Sequence, residues 1–343
     1  MDPRSSLALS DRTGALELFL QAHGPRGEHL LGARAHTARA LTEIGLKLGQ
    51  ETLPSDTSVV LFGSWARLEL TGGSDDDWVV LVDGPVEGRS EVGAVVDLAK
   101  RHLGQGDRKP GAQGIFGGAI SCDELVAKVG LDEDTNTNLT RRALLLLESV
   151  EAAGNAHATS RMRVLERYLN YGVKDFRPPR FLLNDVVRYW RTVGVDFEGK
   201  HRDTGGDDPK WVERNAKLRT ARKVLFAGGL VPILQCHLLT RSEMSGYLEE
   251  QLSSPPTDRL AAAFEHYDAI DEGVRFFGAY DRWIGLMQDH GARAALAALR
   301  FESREHSQLF ADIREIGEAL DQSLIALLFD TPLNQVARKY AVL

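Results

Sequence analysis

Two apolar runs, Val59–Phe62 and Trp78–Val82, stand close together in the chain, separated by a polar corner over residues 63–77. Both have strand length and are rich in β-branched and aromatic residues. The corner opens on Gly63-Ser64 and closes on Ser74-Asp75-Asp76-Asp77. The pattern predicts strand, tight turn, short helix, strand. Side chains alternate across a strand, so Asp75 and Asp77 point to one side and Asp76 to the other. Two carboxylates one strand-step apart suit a hard divalent cation such as Mg²⁺, which takes one or two and leaves its other positions to water and phosphate. Gly63 lets the backbone turn closely, and the Ser64 hydroxyl with the N–H groups after it suits a phosphate. A phosphate cradle facing a carboxylate pair is equipment for phosphoryl or nucleotidyl transfer. The plainer alternative is a surface turn between two buried strands.

Gly63-Ser64-x-Ala66-Arg67 followed by Ser74-Asp75-x-Asp77 resembles the signature of the DNA polymerase β-type nucleotidyltransferase superfamily. The resemblance covers this stretch alone. It implies that Gly63 and Ser64 hold the β,γ-phosphates of a nucleoside triphosphate and that Asp75 and Asp77 ligate two Mg²⁺ ions. It also implies a third carboxylate on a later strand. The next strand candidate, Gln113–Ser121, carries none. Asp123 is the chosen third carboxylate, although with Glu124 it also fits the cap and first turn of a helix. Asp107, Asp132 and Asp134 are further candidates. Glu148 follows a leucine run, where a structural partner for an arginine is the plainer reading. Arg67 either contacts the triphosphate or supports Glu69 and the corner.

The rest of the chain sets the context. Its 343 residues suit two domains, and a net charge of −8 argues against a broad nucleic-acid-coating surface. The two cysteines, Cys122 and Cys236, lie in no metal-ligand spacing and read as reduced thiols. No run approaches a membrane span, and a cytoplasmic location is the default expectation. Helical periodicity marks residues 15–20, 28–49, 92–103 and 123–129, and one long helix from about 134 to 154. Beyond 155 the chain reads as all-helical. One helix covers Phe181–Thr192, a loop covers Gly194–Asp208, and a helix over Lys210–Phe226 is closed by Gly228-Gly229.

Ten arginines and lysines fall between Arg188 and Lys223, making that segment locally positive. Arg214 and Lys217 are candidates to reach a triphosphate and neutralise the leaving pyrophosphate. Tyr189 and Trp190 are candidates to stack on a base. The competing account is a solvated face with intrahelical ion pairs, and core packing for the two aromatics.

The expected fold is α/β (α+β). A small mixed nucleotidyltransferase sheet flanked by helices occupies residues 1–155, an all-helical domain occupies 156–343, and the active site lies in the cleft between them. The expected reaction transfers NMP from an NTP to a hydroxyl acceptor with Mg²⁺, releasing pyrophosphate. The acceptor stays open between RNA or a tRNA 3′ end (as some toxins modify), a protein and a small molecule. The alternative is a degenerate nucleotide-binding regulatory or interaction module.

Overall fold

The structure, a computed structural model, describes residues 14–106, 108–110, 114–204 and 208–342. The chain is mixed α/β, with one four-stranded sheet and many helices. In chain order come α1 (Ala15–His23), α2 (Glu28–Leu48), β1 (Thr57–Phe62), β2 (Trp78–Val82), α3 (Ser90–His102), β3 (Ala119–Ser121), α4 (Cys122–Ala127), α5 (Asn136–Leu147), β4 (Ser149–Gly154) and α6 (His157–Leu169). Longer helices follow: α7 (Arg180–Asp203), α8 (Trp211–Arg219), α9 (Ala221–Gln235), α10 (Arg241–Ser253), α11 (Pro256–His266), α12 (Ile270–Gln288), α13 (His290–Ala298) and α14 (Gln308–Phe329). Among the described residues, no helix is long and apolar enough to cross a membrane.

Contacts divide the chain into two compact units that interleave in sequence. One comprises Ala33–Val173 with Ser245–Pro255 and contains the sheet. The other comprises Met1–Gly32, Lys174–Met244 and Pro256–Leu343, and its regular structure is helical.

The sheet has the order β3-β2-β1-β4. β1 runs antiparallel to β2 and to β4, while β2 and β3 are parallel. Every residue of β1 and β2 is buried, which explains why both read as continuous apolar runs rather than alternating ones. On one face Val59, Leu61, Trp78, Val80 and Val82 share a core with Ile44 and Leu48 of α2 and Val92, Val95 and Leu98 of α3. The buried triad Asp134–Arg142–Tyr168 ties the start of α5 to α6. The Arg142 guanidinium donates to both Asp134 oxygens (2.8 and 2.6 Å) and to the Tyr168 hydroxyl (3.0 Å).

Four expectations need correction. The strand expected over Gln113–Ser121 is regular only at Ala119–Ser121, with Gln113 outside the described residues. The long helix expected to Gly154 stops at Leu147, and residues 149–154 form β4. Glu-Ala-Ala within that stretch favours helix locally, but pairing with the exposed edge of β1 overrides propensity. The loop expected at Gly194–Asp208 is helix as far as Asp203. There burial of Val193 and Phe197 and an Asp196–Lys200 ion pair (2.6 Å) offset the glycine, whose cost is only about 1 kcal/mol. The helix expected over Lys210–Phe226 is two helices broken at Thr220, and Gly228-Gly229 lies inside α9 rather than closing it.

Gly228 is where α9 meets α11. A Cβ there would sit 2.7 Å from Pro256 Cβ and 2.9 Å from its Cα, so the helices pack where no side chain fits. Gly→Ala inside an open helix gains about 1 kcal/mol. Here overpacking reverses the sign, and Gly228→Ala is expected to destabilise by roughly 1–3 kcal/mol in urea unfolding.

Candidate active site at one end of the sheet

Gly63 follows β1 directly and takes φ +63°, a left-handed conformation that glycine adopts without strain. The Arg67 amide then donates to the Gly63 carbonyl (3.0 Å) and the Glu69 amide to the Ser64 carbonyl (2.8 Å). The expected short helix is therefore a single turn. The segment from Ser74 to Asp77 precedes β2 rather than lying in it, but the Phe62 amide donates to the Asp77 carbonyl (2.9 Å) and carries the β1–β2 pairing one step further.

The three aspartates have different surroundings. Asp76 is buried, 4% exposed. Its carboxylate accepts from Trp65 Nε1 (3.0 Å), the Gly104 amide (3.0 Å) and Arg108 Nη2 (2.6 Å), and its own amide donates to the Arg108 carbonyl (3.0 Å). The Arg108 guanidinium also lies 5.6 Å from the centre of the Trp65 ring. Asp75 is exposed and Asp77 half-buried. The Asp77 Oδ2 atom lies 3.5 Å from the place a Cβ would take on Gly63. The structure thus brings Asp77 to the Gly63-Ser64 corner, with Asp75 two residues earlier on exposed chain.

Arg67 is committed to protein partners. Its Nε donates to Glu69 Oε2 (2.8 Å) and its Nη1 to Glu148 Oε2 (2.5 Å), and all three side chains are largely buried. Of the two roles expected for Arg67, the structure displays support of the corner. Glu148 reaches it because β4 starts opposite Phe62, at the same sheet end.

The other expected residues lie elsewhere. Asp123 is exposed in the first turn of α4 and accepts from Arg163 Nη2 (2.6 Å), which also holds Asp83. Ser121 pairs with Val82, so Asp123 sits by the far end of β2, whose five residues span about 16 Å from Asp77. Asp123 is therefore not at the corner, because β3 runs parallel to β2 and delivers the chain to the opposite edge. Asp134 is buried on Arg142, Asp132 is exposed in a turn before α5, and Asp107 lies outside the described residues. Arg214 and Lys217 belong to α8 of the helical unit, paired with Asp208 and with Glu213 (2.7 Å). Tyr189 is buried, and Trp190 stacks on Phe226 at 5.0 Å. Cys122 and Cys236 are free, buried thiols.

The donor chemistry at the corner suits Mg²⁺, since both carboxylates are hard oxygen ligands. Among the described residues no group of three or more His, Cys, Asp or Glu is placed to hold an ion. Asp75 and Asp77 would therefore leave the remaining positions to phosphate and water.

Ser149 Oγ lies 2.7 Å from His157 Nε2, the spacing of a nucleophile and its base. The same hydroxyl lies 2.6 Å from the Leu145 carbonyl. A hydroxyl has one proton and the carbonyl requires it, so His157 Nε2–H donates to Ser149. The imidazole is then no base toward that serine, and burial pushes its pKa down to about 3, with the Arg161 charge adding to the effect.

No protein-family model matches this chain, and no curated protein matches it.

Two outcomes are expected. Arg67→Met removes the guanidinium that the buried Glu69 and Glu148 share and should cost about 3–5 kcal/mol in urea unfolding. His157 gives a pH signature. The folded imidazole stays neutral to about pH 3, while the unfolded one takes a proton near 6.5. Between those values the unfolded state binds more protons, so stability falls as pH falls. From pH 6.5 to 5 this amounts to about 2 kcal/mol, and His157→Gln should lose correspondingly less over that range.

Proposed function

We propose that this protein is a nucleotidyltransferase that moves NMP from an NTP to a hydroxyl acceptor. The observation that carries the reading is the sheet end itself. Asp77 is set against a left-handed Gly63-Ser64 corner, while Asp76 is anchored inward and Asp75 lies on exposed chain two residues before Asp77. The resemblance of this stretch to the DNA polymerase β-type superfamily supports the same reading.

In the proposed reaction the Ser64 hydroxyl and the amides after Gly63 hold the β,γ-phosphates. Asp75 and Asp77 hold Mg²⁺, which when bound neutralises phosphate charge and supplies Lewis acidity. A carboxylate oxygen of Asp75, the exposed member of the pair, takes the acceptor's proton. The acceptor oxygen forms a bond to the α-phosphorus. The bond from that phosphorus to the bridging oxygen breaks, and pyrophosphate leaves with the electron pair. Arg67 keeps the corner in shape through Glu69 and Glu148.

The acceptor is RNA, protein or a small molecule. A second reading, a nucleotide-binding module without transfer, is favoured by one observation: none of Asp123, Asp132 and Asp134 stands at the corner as a third carboxylate.

The test is incubation of the full chain with each α-³²P-labelled NTP, Mg²⁺ and a cell extract, followed by separation of RNA, protein and small molecules. Label in one fraction identifies the acceptor class. Asp75→Asn and Asp77→Asn are each expected to lower transfer by about 10²–10³-fold. Transfer at the wild-type rate in both variants overturns the assignment, and nucleotide binding without transfer selects the second reading.

A further inference from the structure

The segment Gly114-Ile115-Phe116-Gly117-Gly118 borders the same sheet end and takes no part in the chemistry above. It is held from two sides. The Gly117 amide donates to the Trp78 carbonyl (2.7 Å), and the Val80 amide donates to the Gly118 carbonyl (3.0 Å). From α5, Arg141 Nη2 donates to the Gly114 carbonyl (2.8 Å) and its Nε to the Ile115 carbonyl (3.2 Å). Between these anchors the Phe116 ring packs on Phe62, with centres 5.3 Å apart and planes at 45°. Phe62 is buried, immediately precedes Gly63, and binds the Asp77 carbonyl through its amide. Phe116 itself is only half-buried. The loop therefore holds an aromatic ring, backed on one side by Phe62, beside the corner that carries Gly63, Ser64 and Asp77.

We infer that Phe116 is the stacking platform for the nucleobase of the bound NTP, and that Arg141 is the residue positioning it. This rests on the corner being the nucleotide site. A flat apolar ring on a pinned loop offers a base a π-face with little ordering cost. Every base has such a face, so the platform favours nucleotide over bare polyphosphate and discriminates weakly among A, G, C and U. Arg141 acts through the loop: it fixes two successive carbonyls directly before Phe116 and spends its donors on the backbone.

The experiment compares binding of ATP, GTP, CTP and UTP with that of inorganic tripolyphosphate, all with Mg²⁺, by calorimetric titration of the full chain. The wild type is expected to bind the four nucleotides with similar affinity and more tightly than tripolyphosphate. Phe116→Ala is expected to weaken every nucleotide by roughly ten- to a hundredfold and leave tripolyphosphate within about twofold. Phe116→Leu keeps apolar packing on Phe62 without an aromatic face and should lose nucleotide affinity while melting near the wild-type temperature. Phe116→Tyr should retain it. Arg141→Ala should shift nucleotide affinity in the same direction and leave tripolyphosphate unchanged. If nucleotide and tripolyphosphate affinities fall together, or if Phe116→Leu binds nucleotides like the wild type, Phe116 only plugs the sheet end and the inference is overturned while the site assignment stands. If the wild type binds neither probe, the assignment of the corner fails, and this inference fails with it.

Discussion

The buried carboxylate of Asp76 is the contact on which this end of the sheet depends. A lone buried carboxylate is expensive, and Asp76 meets that cost with three donors from three separate places: Trp65 in the corner turn, the Gly104 amide after α3, and Arg108 in the following loop. One side chain thereby closes the β1–β2 corner onto the loop beyond α3. Its neighbours are less enclosed: Asp75 is exposed and Asp77 half-buried. Removing the Asp76 anchor would loosen the chain that carries both.

Legibility in the sequence followed the range of the interactions. β1 and β2 were readable because both are buried on both faces and built from Val, Leu, Phe and Trp. The corner was readable because glycine, serine and alternating aspartates carry local geometric meaning. Helices α1, α2 and α3 declared themselves by period. β4 did not, since Ser-Val-Glu-Ala-Ala-Gly has no strand signature and becomes one only through its partner β1. The continuation of α7 past Gly194 was hidden for a similar reason, because burial of Phe197 decides it and burial is not a local property. At the site, Asp77 beside Gly63 followed from spacing alone. Arg108, Phe116 and Arg141 did not, because each reaches its contacts from loops or helices distant in sequence, and nothing periodic marks them.

Asp123 shows how topology defeats a plausible local choice. It follows a strand adjacent to β2, as a third carboxylate is expected to. The strand is parallel, however, so its far end lies with Val82 and Asp83, and there Asp123 and Asp83 share Arg163. Glu148 is the converse case. It reaches the Gly63 end of the sheet because β4 is antiparallel to β1 and begins opposite Phe62. A strand's direction, which single-sequence reading does not supply, decides which acidic residues share an edge.

Charge at that edge bears on how a nucleotide can bind. Arg108 cancels Asp76. Arg67 stands between two glutamates, Glu69 and Glu148. Asp75 and Asp77 bring two further carboxylates to the edge where an anionic triphosphate is proposed to sit. At separations of a few ångströms near a protein surface, each like-charge pair costs several kcal/mol. The glycine-serine turn offers hydrogen bonds, and Arg67, the arginine within it, is engaged by Glu69 and Glu148. On the proposed assignment a polyphosphate would approach carboxylates at this corner. Divalent cations held by the carboxylate pair would offset that repulsion while binding phosphate oxygens. On the proposed assignment nucleotide binding and metal binding would then be one coupled event, and a polyphosphate that bound tightly with no divalent cation present would be bound somewhere else.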